Sequence, residues 1–539
     1  MKNKLRGKSK IEYLMLLLIA VEGAFIIYMN IFKCRAYPEM DMAKLYRHAI
    51  EIVRNRSVII SGWNYITTME LDCSLFIALP IYALTGDIYI SFGISNILFT
   101  VFFVFILYDI LRKINTKPVY KYVAVIFALI PYRMGMLEYT NMLFYNGGQY
   151  IVKVLEPLLF IDLMIEEDVN LFTLNKPKNA ILSLIMCFFM ILTSFSSGTY
   201  VLVSGIIPIV IAYVLNVILS GDIQNVSIKK AWLIGLNLVS FILGYILCRR
   251  FNINPGSEGM DIVAPNNLLD NIKLTVWGFF SIFVNPDPSS VMSINGLFQL
   301  IRYIFSIVIA MLILFDLTCI LKKGEEFDKQ RILSFVFMVT FFILSFTKCC
   351  FSDTYYPSRY FLIGLIPVFL TVPCFLQWFE EISVKRINRL FTNMVYVLLA
   401  ILTMSVWGIG VYNTREEIRH GNDGGYASVK AILSYAADHG INNVLWLYDL
   451  PDGEVARLFA PEIRSGVVNF TDDGTPFIDP ARDFYTEAGQ SDHYQGENLL
   501  VEKNGSGDYD RLSEDIRNKF KSLGNVEGYN IYLSSECVF

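Results

Sequence analysis

The run from Ile11 to Phe32, IEYLMLLLIAVEGAFIIYMNIF, with Tyr37-Pro38-Glu39-Met40-Asp41 shortly after it, decides how this chain is read. A helix needs about 20 apolar residues to cross the hydrocarbon core of a bilayer, and the first run is long enough. Two carboxylates, Glu39 and Asp41, then stand just beyond a first span. An acid at that address can meet water and the end of a lipid-linked substrate together, which makes Asp41 the leading candidate for catalysis.

The whole chain agrees with its opening. Of 539 residues, 54% are hydrophobic and 17% charged, and the mean hydropathy is +0.48, which excludes an ordinary soluble globular protein of this length. Comparable runs give about eleven spans: 11–32, 88–111, 119–139, 143–165, 179–194, 197–219, 231–251, 297–321, 332–349, 359–378 and 390–411. The chain therefore reads as a polytopic all-α transmembrane bundle over residues 1–412, followed by a small α/β domain over 413–539.

Basic residues orient the bundle, because short cytoplasmic loops collect Lys and Arg. Lys2, Lys4, Arg6, Lys8 and Lys10 precede the first span. Alternate loops then carry Arg112, Lys113, Lys117 and Lys121; Lys176 and Lys178; Lys229 and Lys230; Lys322, Lys323, Lys329 and Arg331; and Lys385, Arg386 and Arg389. All fall on one side, so the N-terminus is expected inside and the C-terminal domain outside. The first run lacks a small-residue cleavage site and is too long for a removable signal peptide. Leu71 to Leu84 is apolar but only about half long enough to cross. Counting it as a span would invert every later loop, so residues 33–87 are read as one outer loop.

Within that loop, residues 39–56 read as an interfacial helix. Leu45, Ala49, Ile52 and Val53 lie opposite Lys44, Arg47, Glu51 and Arg54. Pro38 suits the first turn, and Glu39 and Asp41 sit near the positive end of the helix dipole, as either caps or a base would. A second outer loop, 252–296, contains an apolar piece from Leu268 to Val284. A third, from Lys348 to Tyr360, carries Tyr355, Tyr356 and Arg359. Lys348, Arg359 and Arg133 lie near the outer ends of spans, where cations are expensive unless they face a cavity or a partner. A phosphate is such a partner, and Arg binds it with a planar fork. Snorkelling to lipid headgroups is the plainer reading for isolated outer cations; Arg359, in an aromatic loop beside Lys348, is the one best placed to bind.

The tail reads as a helix from Ala427 to His439, a strand from Val444 to Tyr448, a helix from Asp452 to Phe459 and strands at Val467 to Phe470, Leu499 to Glu502 and Tyr529 to Leu533. A further helix is expected from about Tyr509 to Leu523. Asp449 follows a strand, but the tail has no glycine-rich phosphate loop, no nucleophile elbow and no metal cluster. It reads as a part that recognises acceptor or covers the site. His420, His439 and His493 are scattered and read as surface or packing residues. Cys187, Cys248, Cys319 and Cys374 fall in or near spans and suit packing. Cys349 and Cys350 are adjacent and bridge poorly, and no spacing demands a bridge among Cys34, Cys73 and Cys537. The net charge of −4 and the lack of any basic face or recognition motif give no nucleic-acid partner.

An acid soon after the first span, an interfacial helix, Gly62-Trp63-Asn64-Tyr65 and a short apolar helix ending Ala83-Leu84-Thr85-Gly86-Asp87 together resemble a known first loop. It is that of the GT-C superfamily of polyprenyl-phosphate-sugar-dependent membrane glycosyltransferases, of the dolichyl-phosphate-mannose-protein mannosyltransferase type. Ser358-Arg359-Tyr360-Phe361-Leu362 with Pro367 beyond, and Gly425-Tyr426-Ala427 leading into the tail, are similar to that superfamily as well. The resemblance covers the architecture of nearly the whole chain, through short motifs. The chain has Glu39-x-Asp41 in place of an Asp-x-Asp or Asp-Glu pair, which leaves the use of a divalent metal open.

The resemblance implies an enzyme of a bacterial-type plasma membrane with its active side outside the cytoplasm. It would take a sugar from a polyprenyl-phosphate donor and pass it, with inversion, to a cell-envelope glycan, lipid or protein. Asp41 would be the general base, taking the acceptor proton late. Arg359, with Lys348 and Arg133, would stabilise the departing phosphate. A phosphate leaving group needs no acid, so one carboxylate suffices where a glycosidase uses two. Glu39, Glu70 or Asp72 would orient acceptor or bind metal, and Trp63, Tyr65, Tyr355 and Tyr356 would stack sugars, although solvated acids and an aromatic belt explain these residues as readily. The rival readings are a non-catalytic scaffold, a flippase and a polymerase of lipid-linked envelope polysaccharide. A flippase would need mid-membrane ionisable residues and internal repeats. No repeat stands out, and Glu22, Asp109, Asp162 and Asp316 lie mostly toward span ends or lack obvious partners.

Overall fold

The computed structural model describes residues 10–35, 40–65, 68–132, 139–166, 177–220, 228–251, 265–281, 290, 292–322, 328–351, 358–386, 389–415, 426–448, 450–479, 484 and 494–539. A helix occupies each of the apolar runs named above. In chain order they are α1 (Lys10–Phe32), α2 (Met40–Asn55), α3 (Leu75–Thr85), α4 (Ile88–Lys113), α5 (Pro118–Leu129), α6 (Tyr139–Leu143), α7 (Ile151–Ile165) and α8 (Pro177–Ser197). After these come α9 (Ile207–Ser220), α10 (Ile228–Arg250), α11 (Leu268–Ser281), α12 (Ile294–Leu321), α13 (Asp328–Phe351), α14 (Leu365–Arg386) and α15 (Arg389–Asn413). Among the described residues, 7 helices are long and apolar enough to cross a membrane.

Two expected spans are cut short. The run 119–139 yields α5, of 12 residues, the 5-residue α6 ends where the next run begins, and the run 143–165 yields the 15-residue α7. Between α6 and α7 the chain turns through Asn146 and Gly148, with φ of 51° and 52°. A side chain on Gly148 would strike Ser74 Oγ and Asn96 Oδ1, and one on Gly147 would strike Leu45 and Met42. Hydropathy alone cannot register such a turn, because the residues around it are buried in protein. Every residue of α7 is buried, so this helix runs inside the bundle, packed against α4 and α8. Its charged residues are paired there, Lys153 with Asp72 and Asp162 with Lys113.

The hairpin of α3 and α4 forms as expected from a half-length apolar helix. Asp87 caps α4 by accepting hydrogen bonds from the amides of Tyr89 and Ile90 at 3.1 and 3.2 Å. Helix α2 packs against α3 and α4, burying Met42, Leu45, Tyr46 and Ala49. Its polar side was expected to face solvent. Instead Arg47 and Glu51 are buried and paired at 2.6 Å, because the C-terminal domain also packs on this helix.

At the far end of α4 the basic residues gather. Lys113 Nζ lies 2.8 Å from Asp162, 3.3 Å from Asp109 and 3.1 Å from Glu166. Lys178 pairs with Asp109 at 2.5 Å, Lys117 with Glu380 at 2.6 Å, and Lys329 donates to the Lys113 carbonyl at 3.3 Å. Cations from three different loops therefore share one end of the bundle.

The tail is a mixed six-stranded sheet, β1 (Asn443–Leu447), β2 (Arg464–Phe470), β3 (Pro476–Ile478), β4 (Asn498–Lys503), β5 (Lys521–Val526) and β6 (Tyr529–Ser534), in the order β3-β2-β1-β4-β6-β5. Strand β1 runs parallel to β2 and β4, and the remaining pairs are antiparallel. Helices α16 (Ala427–Asp438) and α17 (Leu450–Phe459) match the expected helices. The helix expected from Tyr509 to Leu523 does not form. A 3-10 turn at Tyr509–Arg511 and a 4-residue helix at Glu514–Arg517 give way to β5. A two-residue turn at Glu527 and Gly528, with φ of 46° and 89°, folds β5 onto β6, the geometry that suits a tight hairpin. Cys34, Cys73 and Cys537 are free thiols. His439 is exposed and stacks on Tyr435 at 4.1 Å; Asp449, His420 and His493 lie outside the described residues.

Candidate active site

Asp41 occupies the first turn of α2, and Arg359 the start of the 3-10 turn Ser358–Gly364 that leads into α14. Arg359 Nη1 donates to Asp41 Oδ2 at 3.1 Å. Both side chains keep some solvent access, 23% for Arg359 and 34% for Asp41. Arg359 Nε is a buried donor with no hydrogen bond among the described residues, an arrangement that calls for a ligand or water.

Helical spacing sets Lys44 and His48 on the same side of α2 as Asp41, and that side meets the loop after Tyr65. Lys44 Nζ lies 3.6 Å from Glu70 Oε1, and His48 Nδ1 lies 3.8 Å from Glu70 Oε2. Glu70 has a φ of 56°, an uncommon backbone for a side-chain residue. The end of α8 holds it there: the Met69 amide donates to the Ser196 carbonyl at 3.1 Å and the Leu71 amide to Ser196 Oγ at 3.1 Å. Burial raises the Glu70 carboxyl above its ordinary range, against the nearby Lys44 and with a push from Asp41. Burial, and then the Lys44 charge, lowers the His48 imidazole to about 3.

A second ion pair lies behind the first. Lys153, on the first turn of α7, donates to Asp72 Oδ1 at 3.0 Å and to the Gln149 carbonyl at 3.0 Å. Asp72 is fully buried and accepts from Ser197 Oγ at 2.7 Å. Between the two pairs stand three tyrosines. Lys153 lies over the Tyr150 ring at 4.9 Å. Tyr150 meets Tyr200 edge-on at 6.1 Å, and Tyr200 donates to the Tyr360 carbonyl at 3.1 Å. The result is a half-buried carboxylate and guanidinium beside a cluster of tyrosines.

Of the residues expected at the site, the structure brings together Asp41 and Arg359. Lys348 lies in the last turn of α13, with its side chain outside the described part, and Glu39, Arg133, Tyr355 and Tyr356 lie outside the described residues. Trp63 and Tyr65 do not form an open sugar platform. Both are buried: Trp63 stacks on His48 at 4.9 Å and meets Phe484 at 5.7 Å, and Tyr65 touches His48 Nε2 at 3.2 Å. Glu70 and Asp72 are anchored acids and not solvated ones. Among the described residues no group of three His, Cys, Asp or Glu side chains converges to hold a metal ion, and Arg359 and Lys44 already face the two carboxylates.

Lys153 and His48 were missed from sequence. A lone lysine inside the apolar run 143–165 was the available signal, since a cation there needs a partner. No local pattern marks His48.

No protein-family model matches the chain, and no curated protein matches its sequence. Solved structures do match. The crystal structure of ArnT from Cupriavidus metallidurans bound to undecaprenyl phosphate is 11% identical and superposes with a TM-score of 0.55 over 97% of this chain and 98% of that one. The apo state of the same protein gives 10% identity and a TM-score of 0.54 over the same shares. At this identity the likeness is one of fold, and it runs through the bundle and the tail alike. This chain is a multi-pass membrane protein that shares the fold of ArnT.

Proposed function

We propose that the site where α2 meets the 3-10 turn transfers a sugar from a polyprenyl-phosphate carrier to a hydroxyl group on a cell-envelope acceptor. The carrying observation is the apposition of Asp41 and Arg359 at 3.1 Å within a fold shared with a protein crystallised with undecaprenyl phosphate. The acceptor oxygen attacks the anomeric carbon on the face opposite the phosphate. As that bond forms, its proton passes to the Asp41 carboxylate, which is too weak a base to remove it beforehand. The bond from the anomeric carbon to the phosphate oxygen breaks with its electron pair, and the configuration inverts.

Arg359 stabilises the charge that collects on the leaving phosphate. Its fork has donors to spare beyond the one given to Asp41, so a phosphate can join the pair without displacing the base. Lys44 and Glu70 set the local charge around Asp41, and the half-buried Tyr200 and Tyr360 offer edges or faces to the sugar. The clustered Lys113, Lys117, Lys178 and Lys329 at the other end of α4 support a cytoplasmic placement of that end and an extracytoplasmic site.

The test is transfer from radiolabelled polyprenyl-phosphate sugars to a cell-envelope fraction by the purified protein, wild type against Asp41→Asn. Loss of transfer in the variant is expected. Unchanged transfer removes Asp41 as the base, and no transfer from any carrier overturns the reading in favour of a scaffold or a carrier-moving protein.

A further inference from the structure

The C-terminal domain carries a surface that the transfer reaction does not use. Its parallel strands β2, β1 and β4 end at one edge, and β1 lies between the other two. In open α/β sheets, ligands bind outside the carboxyl ends of the strands where the strand order reverses. Tyr448 follows the last residue of β1 at that edge. It has a φ of 52° and is 52% exposed. A bulky residue in the left-handed region is a genuine outlier, and such outliers collect at ligand sites. Burial of the ring does not account for this one.

The neighbours of Tyr448 make a platform. Phe470, the last residue of β2, lies 6.4 Å from its ring. Arg511, from the 3-10 turn after β4, places its guanidinium 4.0 Å from the Phe470 ring centre and 5.1 Å from that of Tyr448. Arg511 is 47% exposed and also meets Asp508 at 3.1 Å. A half-exposed ring with a cation beside it suits a ligand that is apolar on one face and anionic. A sugar ring bearing an acid group has both properties.

We propose that this edge is a binding site for an acidic glycan, in which the C–H face of a sugar ring stacks on Tyr448 and Arg511 takes its carboxylate or phosphate. The choice of a glycan over another anion rests on the transferase reading, since the domain packs through α17 on the helix that carries Asp41. Binding is measured without transfer, so the two readings fail separately.

The experiment is fluorescence anisotropy of the full chain in detergent with labelled oligogalacturonate, a phosphorylated oligomannose, neutral maltohexaose and polyglutamate. An acidic oligosaccharide is expected to bind, and which of the two binds more tightly separates carboxylate from phosphate. Tyr448→Asn and Tyr448→Gly, which tolerate the left-handed backbone, should weaken binding about tenfold or more without lowering the melting temperature. Tyr448→Phe should keep it. Arg511→Gln should bring the acidic oligosaccharides down to the level of maltohexaose. The proposal is overturned if the wild type binds no oligosaccharide, if Tyr448→Asn binds as the wild type does, or if polyglutamate binds as well as the acidic sugars.

Discussion

Asp41 Oδ2 and Arg359 Nη1 meet at 3.1 Å although 318 residues separate them in the chain. The pair is partly open to solvent, and an exposed ion pair typically contributes only about 0–1 kcal/mol. Its placement therefore tells more about chemistry than about stability. In Arg359→Gln, transfer is expected to fall about 10²- to 10³-fold, the range for removing one charge-stabilising donor. Asp41→Asn should lower it about 10²- to 10⁴-fold. The double variant should lose less than the product of the two, and its melting temperature should stay close to that of the wild type. Multiplicative losses in a single-turnover assay would show that the two residues act separately.

The buried pair behind it behaves differently. Lys153→Met leaves the carboxylate of Asp72, fully buried, without its cation at 3.0 Å. Breaking such a pair costs about 3–5 kcal/mol. A marked drop in melting temperature in detergent is expected, and adding Asp72→Asn should restore part of it. A Lys153→Met protein as stable as the wild type would contradict the structural role of the pair.

His48 gives a pH dependence of stability with a definite sign. Its imidazole is lowered to about 3 in the folded protein, against about 6.5 when unfolded. Between these values the unfolded chain binds a proton that the folded chain does not, so stability falls as pH drops from about 6.5 toward 3. Glu70, facing it at 3.8 Å, has a raised carboxyl and acts oppositely, favouring the fold below its ordinary range and losing that effect as pH rises. Melting curves from pH 7 to pH 4 should therefore show a smaller acid-induced loss in His48→Gln than in the wild type.

The turn that starts α7 is the least tolerant glycine position near the site. Gly148→Ala meets both a φ of 52° and the side chains of Ser74 and Asn96. Destabilisation of more than about 1 kcal/mol is expected, together with loss of transfer, because the turn sets Tyr150 and Lys153. Ala at Gly235, where an added Cβ meets nothing within 4 Å beyond its chain neighbours and its own helix backbone, is the control and should leave expression and melting unchanged.

The bundle and most of the tail were legible in the sequence because their causes are local. Apolar runs of bilayer length specify α1, α4 and α8, and the short run ending at Thr85 specifies a helix that cannot cross. Alternate loops rich in Lys and Arg specify one end. What failed was local evidence overridden by contact. The stretch from about Tyr509 to Leu523 has a helical reading on its own, but its end from Lys521 onward pairs with β6 across the turn at Glu527 and Gly528. Arg47 and Glu51 read as solvated, but the tail covers them.

The site divides the same way. By itself the sequence determined an acid after the first span, an arginine before a late one and the fold that holds them, since each follows from composition, periodicity and charge along a short stretch. Tertiary structure alone decided that Asp41 meets Arg359, that Lys153 on an internal helix neutralises Asp72, and that His48 faces Glu70 instead of water. Those contacts join segments far apart in the chain. Their free energy comes from burial and charge pairing in the assembled bundle, which leaves no periodic mark on the residues that make them.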